Sequence, residues 1–313
     1  TAFSATDLNF NQASVKGLSQ AYGFILGQEL SLERIRKEYP ELSASVMLVK
    51  AQFDSSFPVL FRSLRDQLVH ALGNKLFDKT DKELKKQFKT NLGNQIITKD
   101  IAQEFLQQVK ERAEGKIDSP VIEYMLSVNY LSFPTGEFAK NYRQRFNSEG
   151  HAKAQGIKLT LQLPKSWKAK EGERPHIVQK WISQNGTGLE MILLDIRDAE
   201  GYTPTDSDVE AIASSGEIKD MLPAGATYLE SGIFSLEMRK GLWFEMTMAQ
   251  ERAGIELYQR SRMHQLFFRG KAIGLMCSAS DSIEDKAKID EAFKRIKPLC
   301  QQVLNSLVLL QAY

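Results

Sequence analysis

At 313 residues, 42% hydrophobic and 26% charged, the chain is long enough for two domains with cores of their own and has an ordinary globular composition. Residues 1–150 carry 20 Lys+Arg and 18 Asp+Glu, a net +2, and the remainder carries 21 of each, a net zero. Neither part is basic enough to point to a nucleic-acid partner, and no apolar run approaches the roughly 18 residues of a membrane-spanning helix.

The first part reads as helical. Residues 11–29 form a first helix dotted with Gly17, Gly23 and Gly27, and Tyr39 before Pro40 marks a boundary, because a residue preceding proline avoids the helical region. Leu42, Val46, Val49, Phe53 and Phe57 then recur at steps of three and four. Leu60, Phe61, Leu64, Leu68 and Leu72 continue that stripe beyond Pro58, up to Gly73. Leu84, Phe88 and Leu92 make another helix, stopped at Gly93 and Asn94. Ile101, Phe105, Val109 and Ala113 make the next, capped at Thr98 and ended at Gly115. A last helix spans 119–131, with Ser119 as cap and Pro120 in its first turn. These stripes read as a bundle core in preference to a groove for a partner helix or an apolar ligand. The mixed charges of residues 78–86 read as a solvated face. Phe133, Pro134 and the polar run 141–156 read as the link to a second domain, with the boundary between 140 and 157.

Beyond that link the period changes from helix to strand. Ile157, Leu159, Leu161 and Leu163 alternate with Lys158, Thr160 and Gln162 until Pro164. Strands over 176–183 and 189–197 flank Asn185 and Gly186, a hairpin signal that explains the glycosylation-like triplet 185–187 without invoking a sugar. A helix over 205–221 is capped at Thr205 or Ser207. Long strands follow over 227–238, 241–249, 255–268 and 272–279, with a tight turn at Arg269 and Gly270. Ser282 and Asp285 suggest a capping-box start for a closing helix with Ile289, Phe293, Ile296, Cys300, Val303, Leu304, Leu307 and Leu310 on its apolar face, kinked at Pro298. Short connections predict antiparallel pairing. The fold class is therefore α+β: a helical domain over 1–145, then a mainly antiparallel α/β/α sandwich over 155–313.

This second part resembles the PsbP-like domains over about residues 155–312. The resemblance rests on a strand ending in a Leu-Pro-x-x-Trp stretch at Leu163, Pro164 and Trp167, then hairpin strands, the run Met191 to Asp195, a helix, a strand meander and a final amphipathic helix. It implies a sandwich with accessory or binding roles, generally without catalysis, as in photosystem accessory proteins, a Ran-binding relative and bacterial envelope lipoproteins. The helical part has no counterpart there, and no family binding residue transfers.

No phosphate loop, dinucleotide fingerprint, nucleophile elbow, paired-cysteine motif or zinc-protease motif occurs. No cofactor is expected. His176 and His264 could converge on a site. Asp195, Asp198, Glu200, Asp206, Asp208 and Glu210 cluster without the glycine of a calcium loop, and read as a solvated loop with a helix N-terminus. The most distinctive constellation is Tyr258, Arg260, Arg262 and His264 on one face of a strand beside Trp243, Glu245 and Thr247 of its neighbour. Trp243, Tyr258, Arg260 and Arg262 are residue types that carry interface energy and form the candidate surface for a protein partner. The competing reading is a polar sheet face with Glu245 paired to an arginine. Cys277 and Cys300 fall on facing apolar surfaces, consistent with a disulfide or with two buried thiols.

The expected function is a non-catalytic binding or accessory protein of the bacterial cell envelope or periplasm, taking a protein or a small ligand. The alternatives are a hydrolase with an unrecognised site and a carrier of an apolar ligand. The chain starts at Thr1, and its small, polar first residues suit a mature exported protein, a lipoprotein trimmed past its anchor or any other trimmed chain.

Overall fold

The computed structural model describes residues 8, 10–116, 121–252 and 254–313. Contacts divide the chain into two compact units, 1–132 and 133–313.

The first unit is built of α1 (Gln12–Glu38), α2 (Ser43–Ser56), α3 (Leu60–Leu72), α4 (Asn74–Gly93), α5 (Lys99–Ala113) and α6 (Ile122–Asn129). The first helix is longer than its glycines suggested, running 27 residues without a break. Its start is fixed reciprocally: Asn11 Oδ1 accepts from the Ser14 amide and Ser14 Oγ accepts from the Asn11 amide, both at 2.8 Å. The glycines are sites of close approach. A Cβ at Gly17 would collide with the Tyr124 ring, and one at Gly27 would stand 3.0 Å from Phe88. Phe57 and Pro58 separate α2 from α3. Thr98 caps α5, its side chain accepting from the Ile101 amide at 3.3 Å. The expected cap at Ser119 and Pro120 lies outside the described residues. Leu18, Ile25, Val49, Phe53, Leu64, Leu68 and Val109 are buried in this unit.

The second unit begins earlier than the change of period implied. Residues 134–147 are structured: Pro134–Ala139 forms α7, and Arg143–Asn147 forms β1, which pairs antiparallel with β2 (Leu159–Pro164). The polar run taken as a link is thus a half-exposed strand whose outer face needs no apolar residues. With β10 (Val308–Leu309) these strands make a three-stranded sheet.

The larger sheet comprises β3 (Lys168–Glu171), β4 (Ile177–Ile182), β5 (Glu190–Asp198), β6 (Ala226–Leu236), β7 (Arg239–Arg252), β8 (Ile255–Phe268) and β9 (Lys271–Ser282). Its order is β3-β4-β5-β9-β8-β7-β6, with every pairing antiparallel. Two tight turns set the meander: Glu237 and Met238 (φ 52° and 57°) between β6 and β7, and Arg269 and Gly270 (φ 51° and 68°) between β8 and β9. At the β4–β5 turn Gln184 joins Asn185 and Gly186 at positive φ.

A helix lies on each face. The first is α8 (Asp206–Ser215), shorter than the span 205–221, with Thr205 and Asp208 forming its capping box. Val209 packs there with Leu242, Phe244 and Met246. On the other face lies α9 (Lys286–Leu304), which runs through Pro298. The expected cap at Ser282 is absent, because Ile283–Asp285 make a 3-10 turn first. Leu307 and Leu310 lie beyond α9, where the chain leaves it to add β10 beside β2. One apolar cluster unites Leu159, Leu161 and Leu163 of β2, Ile192 and Leu194 of β5, Leu275 of β9, and Ile296, Leu299 and Val303 of α9. Cys277 and Cys300 belong to it and are joined by a disulfide with Cα atoms 6.2 Å apart.

Candidate functional site

The registers put the expected constellation on one face, with Trp243 opposite His264, Glu245 opposite Arg262 and Thr247 opposite Arg260. It is the face that α9 covers. Tyr258 Oη donates to Asp290 of α9 at 3.3 Å, and the Arg260 guanidinium bonds the same carboxylate at 3.3 Å and lies over the Phe293 ring. Glu245, only 1% exposed, takes Arg262 at 2.7 Å and Lys297 of α9 at 2.6 Å. Arg262 also lies 3.9 Å from the centre of the Trp243 ring. Trp243, Tyr258, Arg260 and Arg262 are therefore bound up in an ion network beneath a helix, which corrects the picture of an open docking face. The physical reason is that alternation assigns a residue to a face of the sheet and says nothing about what lies over that face.

The other constellations are also drawn into structural roles. His264 is buried on β8 and His176 precedes β4, with β5 and β9 between those strands, so they share no site. Asp195 bonds Arg197 at 2.7 Å, Asp198 bonds Lys271 at 2.9 Å, and Asp208 serves in the α8 cap. Among the described residues, no group of three His, Cys, Asp or Glu side chains is placed to hold a metal.

Two buried groups give a pH prediction. Glu137 is 1% exposed and accepts from the Ser166 amide and hydroxyl, both at 2.7 Å, yet burial raises its pKa to about 7. Burial, with the nearby Arg262 charge, lowers that of His264 to about 4. The raised Glu137 pKa contributes stability that is complete below the ordinary value of 4.5 and lost as pH rises to about 7. The lowered His264 pKa contributes stability that is present above 6.5 and lost as pH falls to about 4. The two slopes oppose one another between 4.5 and 6.5. Glu137→Gln should remove one of them. Stability of that variant, from thermal melts, should then fall with acidification more steeply than the parent's, by about 3 kcal/mol in all between pH 7 and 4.5. Identical slopes in the two proteins would refute the assignment.

A large opening lies in the helical unit. A cleft of about 1210 Å³ runs along α1 and is walled by α4 and α5. Leu84, Phe88 and Leu92, expected as core, are half-buried and line it, together with Phe24 of α1 and Phe105 of α5. Gly23 and Gly27 carry no side chain, which lets Leu84 and Phe88 come close to α1. Helix α4 has only Phe77 buried, so its apolar stripe is spent mainly on this cleft. Arg112 of α5 reaches in, with its guanidinium 5.0 Å from the Phe24 ring centre and 5.9 Å from that of Phe105. It donates to Gln28 Oε1 at 3.2 Å and Gln108 Oε1 at 3.3 Å, and burial lowers its pKa. Sequence reasoning missed Phe24, Gln28 and Arg112. The available signal was the row Ser19, Gly23, Gly27 and Ser31, small residues on one face of α1 where bulky ones would close a bundle.

No protein-family profile and no curated protein matches the sequence. Solved structures that it resembles include cyanobacterial PsbP (CyanoP) from Synechocystis, 12% identical over 54% of this chain and 92% of that one, with a TM-score of 0.31. The Ran-binding protein Mog1p of Saccharomyces cerevisiae is 7% identical over 54% and 95%, TM-score 0.35. LpqN of Mycobacterium tuberculosis, described as involved in cell envelope biogenesis, is 11% identical over 55% and 92%, TM-score 0.28. The PsbP-like resemblance drawn from the order of elements thus has counterparts among solved structures, over about half of the chain.

Proposed function

We propose that this chain is a binding protein without chemistry of its own, whose helical unit takes up an elongated apolar molecule. The cleft carries this reading. A cavity of about 1210 Å³ lined by Phe24, Leu84, Phe88, Leu92 and Phe105 exceeds the size usual for small-ligand pockets. Exposed apolar walls of this extent are costly in water unless something covers them. The neutral fluorophore N-phenyl-1-naphthylamine should bind the full chain saturably. A Cβ at Gly23 would meet Leu84 at an ordinary 3.8 Å, so Gly23→Leu can fill the cleft without disturbing the backbone. That change should weaken binding by about tenfold or more, some 1.4 kcal/mol. Absence of saturable binding to the parent chain would sink the reading.

We also place the protein in the cell envelope. The Cys277–Cys300 bridge supports an oxidising compartment, since such bonds persist outside the reducing cytosol. Alkylation of free thiols in intact cells should leave both cysteines unlabelled until a reductant is added, and prompt labelling would contradict this placement. Among the described residues, no helix is long and apolar enough to cross a membrane.

A further inference from the structure

One wall of the cleft is charged in a way that an apolar ligand alone does not explain. Arg112 is half-buried against two aromatic rings, and among the described residues it forms no ion pair; both of its acceptors are neutral amides. Gln28, 4% exposed and lining the same cleft, gives its oxygen to Arg112, so its Nε2 must be the free end. Arginine has no acceptor to offer that nitrogen, which fixes the orientation of the amide. Nε2 is buried and has no hydrogen-bond partner among the described residues. A cation without a counter-charge and a donor without an acceptor thus meet at one place in an otherwise apolar trough. Each is costly when left so. Among the described residues, the lining includes Lys16 and Arg112 and no Asp or Glu.

Resting on the reading of the cleft as a ligand site, we propose that its occupant is a long-chain fatty acid, with the carboxylate held by Arg112 and the Gln28 amide and the hydrocarbon lying along α1 beside Phe88 and Leu84. A carboxylate matches what is offered. It accepts two bonds from a guanidinium fork and can take a further one from Gln28 Nε2. A phosphate dianion calls for more positive charge than one arginine. The trough has the length for a chain: from Gln28 to Lys16 is twelve helical positions, about 18 Å along α1. Half-buried Leu84 and Phe88 of α4 face this stretch and supply contact to methylene groups.

The test uses the full chain loaded with N-phenyl-1-naphthylamine and displaced by oleate or by oleyl alcohol, which has the same hydrocarbon without the charge. Oleate should displace the probe at concentrations roughly tenfold to a hundredfold lower, the range expected for hydrogen bonds to a charged group. Arg112→Met keeps the bulk of the stem and removes the charge, and should bring oleate to the alcohol's level while leaving the alcohol unchanged. Gln28→Leu should reproduce part of that loss of preference. Equal displacement by the two ligands in the parent chain would overturn the proposal and leave the apolar cleft standing. A preference for oleate that survives Arg112→Met would overturn the assignment to these residues. Failure of the probe itself to bind would count against the cleft as a site at all. The parent-chain comparison decides the matter even where Arg112→Met folds poorly.

Discussion

Replacing Phe293 by alanine is expected to cost the second unit about 3–5 kcal/mol. Phe293 is fully buried, in a cluster with Tyr258, Ala279, Ile289 and Ala292. Its ring also carries the Arg260 guanidinium at 5.3 Å from the centroid. The deletion therefore leaves a cavity between α9 and the sheet and takes away a face on which a cation rests. Phe293→Leu conserves more of the volume and should cost less than about 1.5 kcal/mol if the site repacks. The readout is favourable, since Trp167, Trp181 and Trp243 all lie in the second unit and there is no other tryptophan in the sequence. Tryptophan fluorescence in urea thus follows that unit alone, which matters because a chain of two units need not unfold in one step. A midpoint shift worth less than about 1 kcal/mol at unchanged slope would mean that α9 does not close this part of the core.

Much of the fold was legible because burial imposes a period. Leu159, Leu161 and Leu163 are each wholly buried, and strict alternation in the sequence said that they would be. Thr98 and the Arg269–Gly270 turn were readable for another reason: caps and turns are set by chemistry within a few residues. Strand β1 was illegible, since Arg143, Gln144, Arg145 and Asn147 show no apolar alternation and their pairing with β2 is set at a distance. The end of α9 was misread at Leu307 because its helical spacing continues into residues that instead join the small sheet. The candidate site failed on a similar point. Leu84, Phe88 and Leu92 have the spacing of any packed stripe, and spacing does not tell whether the opposite wall stands close or leaves a trough. What lets Leu84 and Phe88 come close is on another helix, at Gly23 and Gly27, and what charges the trough is on a third, at Arg112.

The charged sheet face offers the sharpest remaining test, because its two readings forecast opposite results. Glu245 is buried, and Arg262 at 2.7 Å, Lys297 at 2.6 Å and Arg260 at 3.5 Å converge on its carboxylate. Arg262 is held further by Trp243 beneath it and by Glu230 at 3.1 Å. Burying charges costs desolvation that only mutual attraction and good geometry offset. Glu245→Ala removes the single anion on which three cations converge and should cost about 3–5 kcal/mol. Glu245→Gln keeps the shape and some of the hydrogen bonds, so it should fall between the alanine variant and the parent. Arg260 and Arg262 changed together to alanine should also destabilise, since Glu245 would then be buried with Lys297 as its nearest cation. Were these arginines free to engage a partner, the same double change would leave the melting temperature nearly unaltered and Glu245→Ala would cost little, as exposed ion pairs contribute at most about 1 kcal/mol. The urea midpoint of the second unit, followed by tryptophan fluorescence, separates the two accounts. A cost below about 1 kcal/mol for Glu245→Ala would show these charges to be solvated and the face beneath α9 open to water.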